Sequence, residues 1–336
     1  MCRVTFFVGL DYHQHSVQVC VLDRDGMVLA NGTRGNSVEE IAAVVPPDAN
    51  VQAAIEACCG AAELADQLIA RAGWSVSLAH AGYVARMKQT PDKSDFTDAQ
   101  VLADLVRVGY LPRVWLAPAA LRDLRRLVRR RQQLVQDRRS TKLRIRALLR
   151  DGRIQGPGAN AWTKAWLDWL RTTKEVSPQT RWIIDNQLDC LKFYDEQVRA
   201  VEKQLSEATK DDAVVQTLLK EDGIGLVTAA TLRAEIGRFD RFRTGKQLSR
   251  FCGLSPRNAS SGQRQADAGL IKAGNAQLRA VLIETAHRLV MHQERWGQLA
   301  QKLRQERKPG SVIAAAIANR WVRWLHYQMT SLNLAS

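Results

Sequence analysis

Apolar residues in the first 115 positions recur every second residue in short runs and every third or fourth residue in the segments between. The period-two runs predict strands over residues 3–11, 17–22 and 27–31, with an Asp25-Gly26 turn joining the last two. The three- and four-residue spacing predicts helices over 37–45, 61–72 and 94–108, the last with Ser94 placed to cap it. Further strands end at Glu56 and cover 75–79. A three-stranded meander followed by β-α-β-α units makes an α/β core of ribonuclease-H-like type.

Beyond residue 118 the pattern becomes helical. Residues 119–150 hold no Gly or Pro, and leucines recur at three and four among arginines, which predicts one long amphipathic helix. A Gly-rich break over 151–160 precedes a block carrying Trp162, Trp166 and Trp169 and a second long helix over 181–208. Two long helices around a break predict a hairpin or coiled-coil-like arm, although sustained heptads are not visible. The last third opens with Gly223-Ile224-Gly225 between helical patterns, the signature of a helix-hairpin-helix, in which glycines let backbone amides approach phosphate. A polar loop over 256–274 and helices over 275–291 and 312–329 follow. The expected division is 1–115, an α/β domain; 116–210, a basic helical arm; and 211–336, a mostly α domain.

Charge narrows the partners. The chain of 336 residues has a formal net charge of +15, and its pI near 9.9 implies a polyanion, nucleic acid foremost. The excess is concentrated: residues 121–150 hold 12 Lys or Arg against Asp123 and Asp137. With so few acids close in sequence, Arg125, Arg126, Arg129, Arg130, Arg131, Arg138 and Arg139 are read as phosphate contacts, although a charge run is commonly a solvated face. Six cysteines without C-x-x-C spacing indicate reduced thiols and a cytoplasmic protein. The apolar runs fall short of the roughly 20 residues that span a bilayer, so no membrane partner is expected.

Four acids stand out. Asp11 ends the first predicted strand, Glu56 ends a later one, and Asp95 and Asp98 are three apart on a helix, which puts both on one face. Singly, each has an ordinary role as a turn former or first-turn acid. Together in one α/β unit they read as a two-metal site, in which carboxylates hold two Mg²⁺ ions about 4 Å apart. Ser261, or Ser260 beside it, sits before Gly262 in a polar loop with Arg257, Arg264 and Lys272 nearby. Serine there is usually a turn former; the functional reading is a nucleophile stored as a phosphoserine ester. The tryptophans form one apolar stripe and are read as packing. His13 and His15 lack a Cys or third ligand, and are read as turn and strand surface.

With these residues assembled, the chain resembles the DEDD transposases of bacterial insertion sequences, the bridge-RNA-guided recombinases related to the pilin-gene invertases. The resemblance covers nearly the whole chain. It rests on Val8-Gly9-Leu10-Asp11, Ile55-Glu56-Ala57 and Lys93-Ser94-Asp95-Phe96-Thr97-Asp98-Ala99 in the RuvC-like half. In the other half it rests on Gly223-Ile224-Gly225, Ala234-Glu235-Ile236-Gly237, Gly253-Leu254-Ser255-Pro256-Arg257, Ser260-Ser261-Gly262 and Lys272-Ala273-Gly274-Asn275. The resemblance implies that Asp11, Glu56, Asp95 and Asp98 are the DEDD ligands and that Ser261 is the nucleophile, with Ser260 the fallback. It further implies a composite site assembled between protomers of a dimer or tetramer, donor and target DNA as substrates, and an element-encoded bridge RNA that sets sequence choice. Two departures stand out: Cys58-Cys59-Gly60 where a small residue and Thr are expected before the glycine, and a loose fit over 263–268. Two rival readings remain. One is a RuvC-like, Mg²⁺-dependent Holliday-junction endonuclease that uses activated water; the other is an RNA-binding protein with an inactive nuclease core.

Overall fold

The computed structural model describes residues 5–87, 94–158, 160–258, 267–271 and 274–332. Two compact units emerge, Met1–Pro118 and Ala119–Ser336.

The first unit is built on a mixed six-stranded sheet. Strands β1 (Thr5–Tyr12), β2 (Ser16–Leu22) and β3 (Val28–Gly35) form the antiparallel meander; β4 (Asn50–Glu56) and β5 (Ser75–Ala79) add in parallel beside β1, and β6 (Arg113–Val114) closes the far edge antiparallel. The order is β3-β2-β1-β4-β5-β6. Helices α1 (Val38–Ala42), α2 (Ala61–Ala72), α3 (Ala81–Met87) and α4 (Asp95–Arg107) complete the unit. This arrangement is compatible with a ribonuclease-H-like domain. Helix α3 and strand β6 carry too short a pattern to be read from sequence, and α1 is shorter than the predicted 37–45 because Pro46 and Pro47 end the turn that follows.

Strand alternation divides the side chains between two faces. Val8, Leu10, Ala53 and Ile55 face α1 and α2, packing with Ile41, Leu64 and Leu68. On the opposite face Cys20, Leu22 and Phe7 meet Ala99 and Ala103 of α4, while Ala54 and Ala79 meet Leu102 and Val106. Gly9 lies on this second face, directly beneath α4. A Cβ there would stand 1.8 Å from the Ala99 carbonyl oxygen and 2.5 Å from the Ala103 nitrogen. Only a residue without a side chain lets the helix backbone settle this close to β1.

The second unit is helical apart from one small hairpin. Its elements are α5 (Ala119–Asp151), α6 (Lys164–Thr172), α7 (Pro178–Thr209), α8 (Ala213–Leu219), α9 (Leu226–Ile236), α10 (Gly245–Phe251), β7 (Pro256–Asn258), β8 (Asp267–Leu270), α11 (Ala276–His292), α12 (Glu294–Gln305) and α13 (Gly310–Ser331). Ser177 caps α7 through the Thr180 amide, with Pro178 just inside the helix. The region expected as an open loop over 256–274 contains β7 and β8, paired antiparallel. Buried Leu232, Leu278, Leu282, Ile317 and Trp321 form the main core, each large side chain contributing about 1.5–3 kcal/mol on burial.

Helices α5 and α7 form an antiparallel pair, and here the expectation of no sustained heptads is corrected. Ile184, Leu191, Val198 and Leu205 are all buried and spaced by seven. The second seam position is Leu188, then Asp195, then Glu202, so the repeat is half polar and its apolar signal is diluted. Those two acids pair with α5, Asp195 with Arg138 and Glu202 with Arg131, each at 2.7 Å. Trp166 is buried among Ile145, Leu149 and Leu170, with Trp162 and Trp169 packed around it, in keeping with a packing stripe.

Candidate functional site

The parallel register of β1 and β4 pairs Leu10 with Ile55. The next residues along, Asp11 and Glu56, therefore leave neighbouring strands side by side on the face that α4 covers. Helix α4 reaches this end of the sheet because Gly9, two residues before Asp11 on the same face, lets its backbone approach. Its first turn carries Asp95 and Asp98. Ser94 occupies the cap position, but its hydroxyl makes no cap bond; instead its carbonyl accepts from the Asp98 amide at 2.9 Å and the Thr97 hydroxyl at 2.8 Å. A polar chain also ties this turn to the sheet. Buried Gln18, opposite Asp11 on β2, donates to Asn31 at 2.7 Å, and Asn31 donates to the Phe96 carbonyl at 3.0 Å.

His13 follows Asp11 by two residues, and its Nε2 stands 3.5 Å from an Asp11 carboxylate oxygen and 3.2 Å from one of Asp95. The three side chains offer ligand atoms that all lie within 4.8 Å of one another. Asp98 is buried at 9% exposure, and Glu56 is half-buried. Desolvation raises the Asp11 pKa above the ordinary carboxylate value; His13 opposes this, and Asp95, Asp98 and Glu56 add to it. Cys58, just beyond Glu56, has its thiol raised by burial, with the Ala61 backbone amide acting the other way and the charges of Glu56 and Asp11 adding to the rise. The four acids named from sequence thus share one electrostatic neighbourhood. A donor set of carboxylate oxygens suits a hard divalent cation, whose charge would offset the burial and neighbouring negative charge that make Asp11 hard to ionise.

His13 is the residue that sequence reasoning set aside. In the sequence His13 and His15 stand without a Cys or a third ligand for zinc, whereas in the structure a second carboxylate, Asp95, reaches His13 from α4. The Asp-x-His spacing at a strand end, which directs both side chains to one side, was the available signal.

The predicted nucleic-acid contacts divide into two groups. Arg125 donates to the Ala234 carbonyl, Arg129 pairs with buried Glu235 at 3.2 Å, Arg126 with Asp123, and Arg131 and Arg138 with α7. Asp123 lies on α5 itself, so the Arg126 pair is an exposed contact within one helix; the other acids arrive from α7 and α9, and Arg125, Arg129, Arg131 and Arg138 tie those helices to α5. Arg130 and Arg139 are exposed and have no ion-pair partner among the described residues. Gly223, with φ of +87, accepts from Arg288 through its carbonyl at 3.1 Å, and Gly225 precedes the first turn of α9. Both line a cleft of about 560 Å³ together with Arg131, Glu202, Thr228, Glu284 and Arg288. Arg257 is exposed on β7. Ser260, Ser261 and Arg264, between β7 and β8, and Lys272 lie outside the described residues.

A transposase family model of the IS110 DEDD type matches residues 8–153, which include all four acids. A second model, described as the transposase IS116/IS110/IS902 family, matches residues 215–301. The two matches span more than two thirds of the chain. The chain is similar to a probable family 20 transposase of Pseudomonas aeruginosa, with 29% identity over 330 residues and 95% of each chain covered. It is also similar to the transposase for insertion sequence element IS1111A of Coxiella burnetii, at 26% identity with 85% of this chain and 78% of that one covered. The transposase for insertion sequence element IS1328 of Yersinia enterocolitica is 25% identical, with 94% of each chain covered. Among the described residues no helix is long and apolar enough to cross a membrane. The chain belongs to the IS116/IS110/IS902 family of transposases and is a DNA transposase.

Proposed function

We propose that this transposase cleaves and rejoins donor and target DNA through a phosphoserine intermediate, with Asp11, Glu56, Asp95 and Asp98 holding Mg²⁺ in a two-metal site. The observation that carries the reading is the convergence of the four acids, from β1, β4 and α4, around Asp11. Bound Mg²⁺ would supply charge neutralisation for the phosphodiester. The Ser261 hydroxyl attacks phosphorus and gives up its proton; a P–O bond to serine forms, the bond to one deoxyribose oxygen breaks, and that oxygen leaves as a hydroxyl. A hydroxyl of the partner strand then reverses the exchange and joins the new ends. In this reading Ser260 is the fallback nucleophile.

Three domains are proposed, 1–115, 116–210 and 211–336, with the α5–α7 pair as a basic, coiled-coil-like arm. Exposed Arg130 and Arg139 would meet phosphate directly, as would Arg257, Arg264, Lys272 and the Gly223–Gly225 turn of a helix-hairpin-helix. An element-encoded bridge RNA would choose sequences by base pairing while the protein grips backbone and shape, and a homo-oligomer in the bacterial cytoplasm would complete the composite site.

The test is a denaturing gel of end-labelled donor DNA with Mg²⁺, protein and the RNA from the flanking region. A labelled protein-sized adduct in wild type, lost in both Ser261→Ala and Asp11→Ala, is the expected outcome. Free cleavage products that survive in both Ser261→Ala and Ser260→Ala would replace the serine reading with hydrolysis by activated water, as in a junction endonuclease.

A further inference from the structure

We propose that His13 is a nitrogen ligand of the divalent ion held between Asp11 and Asp95, and that this imidazole biases the site toward Mn²⁺ over Mg²⁺. The inference rests on the reading of the carboxylates as metal ligands.

The backbone of His13 is fixed before any ion arrives. Its amide donates to the Ser16 carbonyl at 2.9 Å, closing the β1–β2 turn, and its carbonyl accepts from the Asn36 side chain at 3.3 Å. The imidazole is half exposed, yet it is turned back onto Asp11 and Asp95 and has no other polar partner among the described residues.

Two explanations compete for that posture: a plain imidazolium counter-ion, or a third donor around a cation. A charge-assisted hydrogen bond between nitrogen and carboxylate closes to about 2.7–2.9 Å. The gaps here are 3.5 and 3.2 Å. Neighbouring donors placed around an octahedral ion at about 2.1 Å from it stand about 3 Å apart; the open separations and the convergence of three ligand atoms within 4.8 Å of one another leave room for an ion among them. Imidazole nitrogen is a poor partner for Mg²⁺, which favours oxygen, and a good one for first-row transition ions. Mn²⁺ tolerates both donor types: it shares the carboxylate preference of Mg²⁺ but accepts nitrogen more readily, so two aspartates and a histidine favour it over Mg²⁺, with Glu56 and Asp98 supplying further oxygens nearby.

The full-length protein, as wild type, His13→Ala and Asp11→Asn, is titrated with Mn²⁺ alone. Free ion is followed by electron paramagnetic resonance, and the bound ion is examined for nitrogen modulation of its spin echo. Circular dichroism confirms that each variant is folded. Wild type is expected to show imidazole nitrogen coupling; His13→Ala loses it, binds Mn²⁺ about ten-fold or more weaker, and loses less affinity for Mg²⁺ measured by competition. Nitrogen coupling absent from a wild type whose Mn²⁺ binding still depends on Asp11, or persisting in His13→Ala, overturns the role of His13 and leaves the carboxylate site standing. Mn²⁺ binding that is absent, or indifferent to Asp11→Asn, overturns both.

Discussion

Replacing Gly9 with alanine puts the architecture of the acid cluster under direct strain. The new methyl would lie 1.8 Å from the Ala99 carbonyl oxygen and 2.5 Å from the Ala103 nitrogen. Both obstacles are helix backbone, which has no rotamer to escape into. Restoring ordinary contact requires α4 to lift by about 1.5 Å or β1 to sink by as much. Overpacking of this kind costs about 1–3 kcal/mol, which appears as a drop of several degrees in melting temperature. The functional cost is larger, because Asp95 and Asp98 ride on the displaced helix while Asp11 and Glu56 stay with the sheet. A misplacement of about 1 Å in a positioned site costs about 100-fold in rate. Gly9→Ala should therefore lose Mn²⁺ affinity by titration and DNA cleavage on the gel out of proportion to its melting shift. Gly32→Ala on β3 is the control: its Cβ would meet only the flexible end of Arg34, at 3.3 Å, and it should stay within about 0.5 kcal/mol of wild type. A folded Gly9→Ala protein with unchanged metal affinity and cleavage would refute the claim that α4's seat on Gly9 places the acids.

Other consequences follow from charge and packing. Because the folded Asp11 pKa is raised above the ordinary 3.8, the stability linked to its proton is full below 3.8 and lost as pH rises through the folded value; metal-free Asp11→Asn should thus melt above wild type at pH 7 in chelator, with the gap closing toward pH 3.8. An equal melting temperature at pH 7 would count against the burial and charge crowding of Asp11. Arg129→Ala removes an ion-pair partner of Glu235, which is 6% exposed, and should destabilise by about 1–3 kcal/mol in denaturant, whereas Arg139→Ala should leave stability alone and reduce the salt slope of nucleic-acid binding by about one. The reverse pattern would mean the two arginines have been assigned to the wrong roles. Leu191→Ala, in the buried heptad of α7, should cost about 2–5 kcal/mol by chemical unfolding; a loss under 1 kcal/mol would show that the seam is not packed.

Most of the first unit was legible because its signals are local. The Asp25-Gly26 turn, the period-two runs and the helix over 61–72 each depend on residues within a few positions, and the structure places α2 over Ala61–Ala72 and β5 over Ser75–Ala79. The acids were legible for the same reason, since Asp11 and Glu56 end strands and Asp95 and Asp98 share a helix face. What sequence hid lies in long-range pairing. His13 gains its meaning from Asp95, more than eighty positions away, and Gly9 from Ala99. The arginines of α5 appeared surplus because Asp195, Glu202 and Glu235 return to them only when α7 and α9 fold back. The heptad of α7 was masked by Asp195 and Glu202, which stand where leucine would complete it.

Those acids have one more effect. A seam with identical apolar steps every seven residues is nearly indifferent to sliding by one repeat, about 10.5 Å along the helix. The ion pairs remove that indifference. Moving α7 by seven residues to bring Asp195 opposite Arg131 would leave Glu202 facing Leu124 and Arg138 facing Leu188, a carboxylate and a guanidinium stranded against hydrocarbon. The polar steps thus act as a vernier for the α5–α7 pair, fixing which residues meet at its far end at the expense of some packing.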